Sequence, residues 1–89
     1  MKIEFDPAKD ALNRHKHGVS LAQAARIDWP KVMAAPDSRR SYGEERYIAA
    51  TPIGDRLHVV VFTIRNGVLR IISLRKANRR EVKRYEAQN

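Results

Sequence analysis

Residues 1–89 are expected to form one α+β domain, an antiparallel β-sheet preceded by two helices and closed by a third. Three observations predict it. Asn66-Gly67 separates two strand-like runs, Leu57 to Arg65 and Val68 to Arg75, and a two-residue hairpin turn needs positive φ at both positions, which Asn and Gly supply at least cost. Asp6-Pro7 and Ser20-Leu21-Ala22-Gln23 have the form of helix starts ahead of this β-rich half. Asn78-Arg79-Arg80-Glu81 repeats that form near the C-terminus.

Taken in order, Lys2-Ile3-Glu4-Phe5 alternates, so Ile3 and Phe5 share one face of a short strand. Asp6 offers an N-cap carboxylate, and Pro7 follows at a position whose N–H would be unpaired anyway. The helix that follows is expected to bury Ala8, Ala11, Leu12 and His15 and to stop at Gly18, a residue that tolerates the left-handed conformation. A second short helix starts at Ser20, with Val19 as a staple against Ala24, and ends at Trp29-Pro30. Lys31 to Ala35 is weakly strand-like, and Pro36 to Ser41 is a polar turn or mobile loop. Arg46 to Thr51 reads as a strand and Pro52-Ile53-Gly54-Asp55 as the turn after it. The final helix runs from Asn78 to about Glu86. No repeat, linker or low-complexity segment interrupts this order.

Composition narrows the function. A chain of 89 residues buries only roughly 60 to 65% of its unfolded surface. It has no cysteine and no Cys/His cluster, so disulfide and structural-zinc staples are not expected and stability is expected to lean on a partner or a dimer. The start carries Lys2, Glu4, Asp6, Lys9 and Asp10 rather than a signal-like apolar run, and the longest apolar stretch is Val59-Val60-Val61-Phe62. A cytoplasmic protein with no membrane span is expected. Residues 65–89 hold eight Lys/Arg against two acidic residues, whereas residues 1–64 hold ten against eight. So concentrated a positive charge predicts a polyanionic partner, nucleic acid or an acidic protein.

The two-residue turn fixes a register: Arg65 opposite Val68, Thr63 opposite Arg70, Val61 opposite Ile72, Val59 opposite Leu74, and His58 beside Arg75. Arg65 and Arg70 then emerge on one face as diagonal neighbours without an obvious acidic partner, placed either to flank a phosphate or simply to solubilise a hairpin end. Arg70 and Arg75 are the strongest single candidates for phosphate contact, yet they fall on opposite faces unless a bulge or the strand end at Arg75 re-aims one of them. In the last helix, Arg79 with Lys83 and Arg80 with Arg84 are like-charge i,i+4 pairs, mildly destabilising on their own. They make either a solvated face or a binding face.

Phe5-Asp6-Pro7-Ala8-Lys9, Asn13, Lys16-His17-Gly18-Val19-Ser20, Gly43-Glu44-Glu45-Arg46, Arg70-Ile71-Ile72-Ser73, Arg75-Lys76-Ala77 and Glu81 to Tyr85 together resemble the BrnT toxins in order and spacing. The similarity covers nearly the whole chain. It departs at Ile27-Asp28-Trp29-Pro30-Lys31, where most relatives carry an aromatic and Asp-Pro. The resemblance implies a RelE-like fold and a type II toxin that cleaves RNA and so inhibits translation and growth. It further implies a BrnA-like antitoxin, a toxin2–antitoxin2 assembly, and operator DNA reached only through that antitoxin.

Metal-independent cleavage needs a base for the ribose 2′-OH, cations for the charge at phosphorus, and an acid for the leaving 5′ oxygen. No cofactor or metal is expected. His17 suits base or acid by its intrinsic pKa, but at a helix C-terminus a histidine is more often just a cap. His15, facing the expected core, and His58, in a strand, rank lower. Glu45 is either a base or an ion-pair partner of Arg46. RelE-like ribonucleases generally use arginine, lysine and tyrosine, so the resemblance favours Arg46, Arg65, Arg70, Arg75, Lys76 and Tyr85, although Tyr85 with Val82 equally anchors the last helix. Lys16, Arg65, Lys76, Arg79, Arg80, Lys83 and Arg84 are candidates for holding RNA. The alternative is a non-enzymatic module that binds nucleic acid or an acidic protein.

Overall fold

A computed structural model describes residues 2–39 and 43–88. Arg40 and Ser41, part of the expected polar turn, lie outside them. The elements run β1 (Ile3–Glu4), α1 (Pro7–His17), 3₁₀ turns at Leu21–Arg26 and Trp29–Lys31, β2 (Ala35–Pro36), β3 (Tyr47–Ile53), β4 (Arg56–Arg65), β5 (Val68–Lys76) and α2 (Arg79–Gln88). The five strands form an α+β sheet in the order β1-β5-β4-β3-β2. The sheet is mixed, not purely antiparallel as expected: β1 lies parallel to β5, with Ile3 opposite Leu69 and Glu4 opposite Arg70. This pairing covers the outer edge of β5, and Leu69 N–H donates to the Lys2 carbonyl at 3.0 Å. Among the described residues, no helix is long and apolar enough to cross a membrane.

Asp6 caps α1 by accepting the Ala8 N–H at 2.9 Å, and Gly18, at φ 71°, closes it. The expected apolar stripe is not buried. Ala8, Ala11, Leu12 and His15 are all exposed, Leu12 by 69%. What α1 buries is Asn13, whose amide donates to the carbonyls of Val19 (2.8 Å) and Leu74 (2.7 Å) and accepts the Leu74 N–H (3.2 Å). One side chain thus satisfies both backbone groups of Leu74, as a neighbouring strand would, and a side-chain amide has the donors and acceptor to do it. The expected second helix is a 3₁₀ segment of six residues. Ser20 caps it through Ala22 N–H, but its bonds run Gln23 N–H to Ser20 and Ile27 N–H to Ala24, the tighter spacing short segments adopt. Lys31 to Ala35 is mostly not strand, with β2 limited to Ala35–Pro36. Pro52 and Ile53 continue β3 opposite Leu57 and Arg56, so only Gly54-Asp55 turns.

The Asn66-Gly67 turn has φ 52° and 75°, as its type demands. The predicted pairs Arg65–Val68 and Thr63–Arg70 form. Beyond them the register shifts. Phe62 faces Ile71 but Val61 faces Ser73, leaving Ile72 as an extra residue. The expected pairs Val61–Ile72, Val59–Leu74 and His58–Arg75 are replaced by Val61–Ser73, Val59–Arg75 and His58–Lys76. The cause is core chemistry. Strict alternation from Leu69 and Ile71 would point Ser73 and Arg75 inward and Leu74 outward, and burying a guanidinium costs far more than a bulge. With the bulge, Leu69, Ile71 and Leu74 share the core face.

That face packs Ala49, Ile53, Val60, Phe62, Leu69, Ile71 and Leu74 against Val19, Leu21, Ala24 and Ile27. Leu21, Ile71, Leu74 and Val60 are fully buried, each contributing about 1.5–3 kcal/mol of burial. Trp29 meets Phe62 edge-on at 5.2 Å, and its indole N–H donates to Ala24 at 3.0 Å. The opposite face has a thinner cluster, in which Leu57, Val59 and Ala77 are buried beneath Ile48, Ala50, Val82 and Tyr85. The predicted capping box opens α2: Glu81 N–H donates to Asn78 Oδ1 (2.8 Å), and Asn78 N–H donates to Glu81 Oε1 (2.9 Å).

Candidate active site

The second face of the sheet is only partly covered by α2. Beside it runs a groove of roughly 450 Å³, floored by Ile48, Val59, Val61 and Ser73 and walled by Lys16, His17, Arg39 and Arg75. Helix α1, strands β3, β4 and β5, and the segment after β2 converge there. The end of α1 brings Lys16 and His17 to the margin of β5. The bulge turns Arg75 outward onto the face it shares with Arg70, which resolves the opposition expected from alternation. Arg39 comes from the segment after β2.

Both arginines are held by carboxylates. Arg75 forms a two-point fork with Glu81, Nη1 to Oε1 and Nη2 to Oε2, both 2.8 Å. Arg39 forms another with Asp37, Nε to Oδ1 at 2.8 Å and Nη2 to Oδ2 at 2.9 Å, and the Asp37 side chain is 1% exposed. Forks of this kind fix the plane as well as the position of a guanidinium. Arg75 holds the Glu81 carboxyl down to about 2, while the hydrogen bonds it donates to Glu81 raise Arg75. His17 is lowered from 6.5, first by partial burial and then by the charges of Lys16 and Arg75. A helix C-terminus ordinarily stabilises a protonated histidine. Here burial and the neighbouring cations outweigh it and favour the neutral imidazole.

The other candidates are placed apart from the groove. Arg70 pairs with Glu4 at 3.1 Å, about 15 Å along β5 from Arg75. Arg65 pairs with Glu44 at 2.7 Å, so neither cation of the expected diagonal pair lacks an acidic neighbour. Arg46 also lies by Glu44, at 3.6 Å, and hydrogen bonds from Arg65 lead the causes that hold the Glu44 carboxyl below its usual range. Glu45 accepts from the Tyr47 hydroxyl at 3.0 Å, and its backbone carbonyl accepts from Thr63. Tyr85 packs with Val82 on Leu57 and Val59, lining a cleft next to the groove that shares Ile48 and Val59 with it. Lys76 is exposed at the end of β5, and Arg79, Arg80, Lys83 and Arg84 are exposed on α2. His15 is exposed, against expectation, whereas His58 is buried with Nδ1 donating to the Arg56 carbonyl at 2.9 Å.

Sequence reasoning missed Arg39, Asp37 and Ser73. Arg39 and Asp37 sit in a stretch whose only signal was polarity, and Ser73 points into the groove only because of the bulge. Among the described residues, no three His, Asp or Glu side chains cluster as a metal site would require.

A family model described as the ribonuclease toxin, BrnT, of type II toxin-antitoxin systems matches residues 5–81. No curated protein matches the chain.

Proposed function

Because the chain belongs to the BrnT family, ribonuclease toxins of type II toxin-antitoxin systems, we propose that it cleaves RNA in the groove between His17 and Arg75, without a metal ion. The scissile phosphate lies against Arg75, Arg39 and Lys16, whose charges balance the extra negative charge of the transition state. Neutral His17 takes the proton of the adjacent 2′-OH. That oxygen bonds to phosphorus, the bond from phosphorus to the 5′ oxygen breaks, and the leaving oxygen takes a proton from Lys16 or solvent. The products are a 2′,3′-cyclic phosphate and a 5′-hydroxyl. The observation that carries this reading is an imidazole in the same groove as two arginines anchored by carboxylates.

The same reading extends to a RelE-like assignment of the fold and to inhibition of translation and growth. A toxin of this kind has an antitoxin partner. We propose a BrnA-like one, bound in a toxin2–antitoxin2 assembly that touches operator DNA through the antitoxin alone. Family membership and the exposed basic residues of α2 support this.

The test is incubation of antitoxin-free protein with total RNA in EDTA, followed by mapping of the ends. Wild type cleaves; Arg75→Ala loses about 10²–10³-fold, as does removal of one preorganised charge-stabilising donor elsewhere. Arg70→Ala, distant and paired with Glu4, retains most of its activity. The acid limb of kcat/KM falls below pH 6.5 and moves upward in Arg75→Ala, since a cation that lowers His17 is gone. RNA left intact by wild type overturns the reading.

A further inference from the structure

Resting on that reading, we infer that Glu81 is a positioning residue for RNA cleavage, one that ties the geometry and charge of the groove to the folding of α2. Its carboxylate does two jobs with the same two oxygens. Oε1 accepts from the Asn78 N–H at 2.9 Å and from Arg75 Nη1 at 2.8 Å, and Oε2 accepts from Arg75 Nη2 at 2.8 Å. Asn78 Oδ1 returns a bond to the Glu81 N–H at 2.8 Å. The first turn of α2 and the guanidinium in the groove are therefore one hydrogen-bonded unit. Neither end is held firmly by packing. No residue of α2 is fully buried, and Arg75 lies at the open face of the sheet.

Two consequences separate this role from an ordinary helix cap. The first is geometric: with both Nη atoms engaged, the fork sets the plane in which Arg75 meets a phosphate, and misplacement of a positioning group by about 1 Å can cost about 10²-fold in rate. The second is electrostatic. The titratable and charged groups around His17 are Lys9, His15 and Lys16 on its own helix, Arg75 on β5, Arg39 with its partner Asp37 after β2, and Glu81 on α2 behind Arg75. Glu81 offsets part of the Arg75 charge that His17 feels, so its removal makes the groove more positive.

The experiment compares Glu81→Gln and Glu81→Asp in the full chain. Gln retains a side chain that serves a capping box but removes the charge; Asp keeps the charge and withdraws it by one methylene. Glu81→Gln is expected to lower kcat about 10- to 100-fold, to tighten binding of an uncleavable 2′-O-methyl RNA, and to move the His17 pKa, followed by NMR, further below wild type. Glu81→Asp is expected to lose kcat similarly while leaving the His17 pKa near wild type. Wild-type kcat in both variants overturns the inference while the ribonuclease reading stands. Wild type that cleaves no RNA overturns that reading and the positioning role with it. An unchanged His17 pKa in Glu81→Gln overturns the electrostatic half in either case. Circular dichroism separates the positioning role from a cap alone: kcat falls while the helix content stays at wild type, and a loss of kcat found only where α2 melts overturns the positioning role.

Discussion

The two faces of the sheet are built on different physics. On one, eleven buried apolar residues close over one another, with Asn13 sealing the adjacent strand edge. On the other, three buried residues support a helix that has no fully buried side chain and is fastened by a capping box and an arginine fork. Apolar packing resists water and salt, whereas hydrogen-bonded ion pairs at a half-open surface answer to pH and ligand. The cationic groove lies on the second face. The main apolar core and the cationic groove are thus divided between the sides of one sheet.

The sharpest way to break this contrast is to cut each face in turn. Leu74→Ala or Ile71→Ala should cost about 2–5 kcal/mol, read by urea unfolding, because both side chains are fully buried. Val82→Ala, on half-buried α2, should cost less than about 1 kcal/mol. Equal costs would mean that the faces share one core. Asn13→Ala comes next, at about 1–3 kcal/mol, since it strands the Leu74 N–H and carbonyl in a buried place. Hydrogen exchange at Leu74 should quicken with it.

Acid sharpens the comparison further. Folding lowers the Glu81 carboxyl from 4.5 to about 2, so the unfolded chain binds that proton more readily. The pair's stabilising contribution is complete above about pH 5 and is lost as pH falls toward 2. Exchange protection in α2 should decline across that window before protection in β5, and Glu81→Gln should flatten the decline. The smallest effect is expected at Glu44→Ala, whose pairs with Arg65 and Arg46 lie at the hairpin end, where solvent screens them. A larger loss there would show that the hairpin end contributes more than its exposure suggests.

What the sequence made legible follows from how local each signal is. Asp6-Pro7, Asn66-Gly67 and the Asn78–Glu81 box are short-range devices, and all three form as read. The parallel docking of β1 was not legible, because it joins residues more than sixty positions apart and leaves no local mark. The α1 stripe failed because the helix is anchored by a polar amide instead of an apolar face, and periodicity registers only the latter. His17, Lys16 and Arg75 were singled out individually, yet their meeting depends on the bulge at Ile72, and Arg39 joins them only through a loop. Alternation was the right rule for β5. The core overrode it for one residue.

Ile72 gives the strand a grammar in which length carries more meaning than spelling. Replacing Ile72 with another residue leaves the count intact, and with it the destination of every side chain downstream. Removing it would transpose Ser73, Leu74 and Arg75 at once, sending a cation inward and a leucine to the groove. Variation in this stretch should therefore be tolerated as changes of letter and rejected as insertions or deletions, although Ile72 itself is only half-buried.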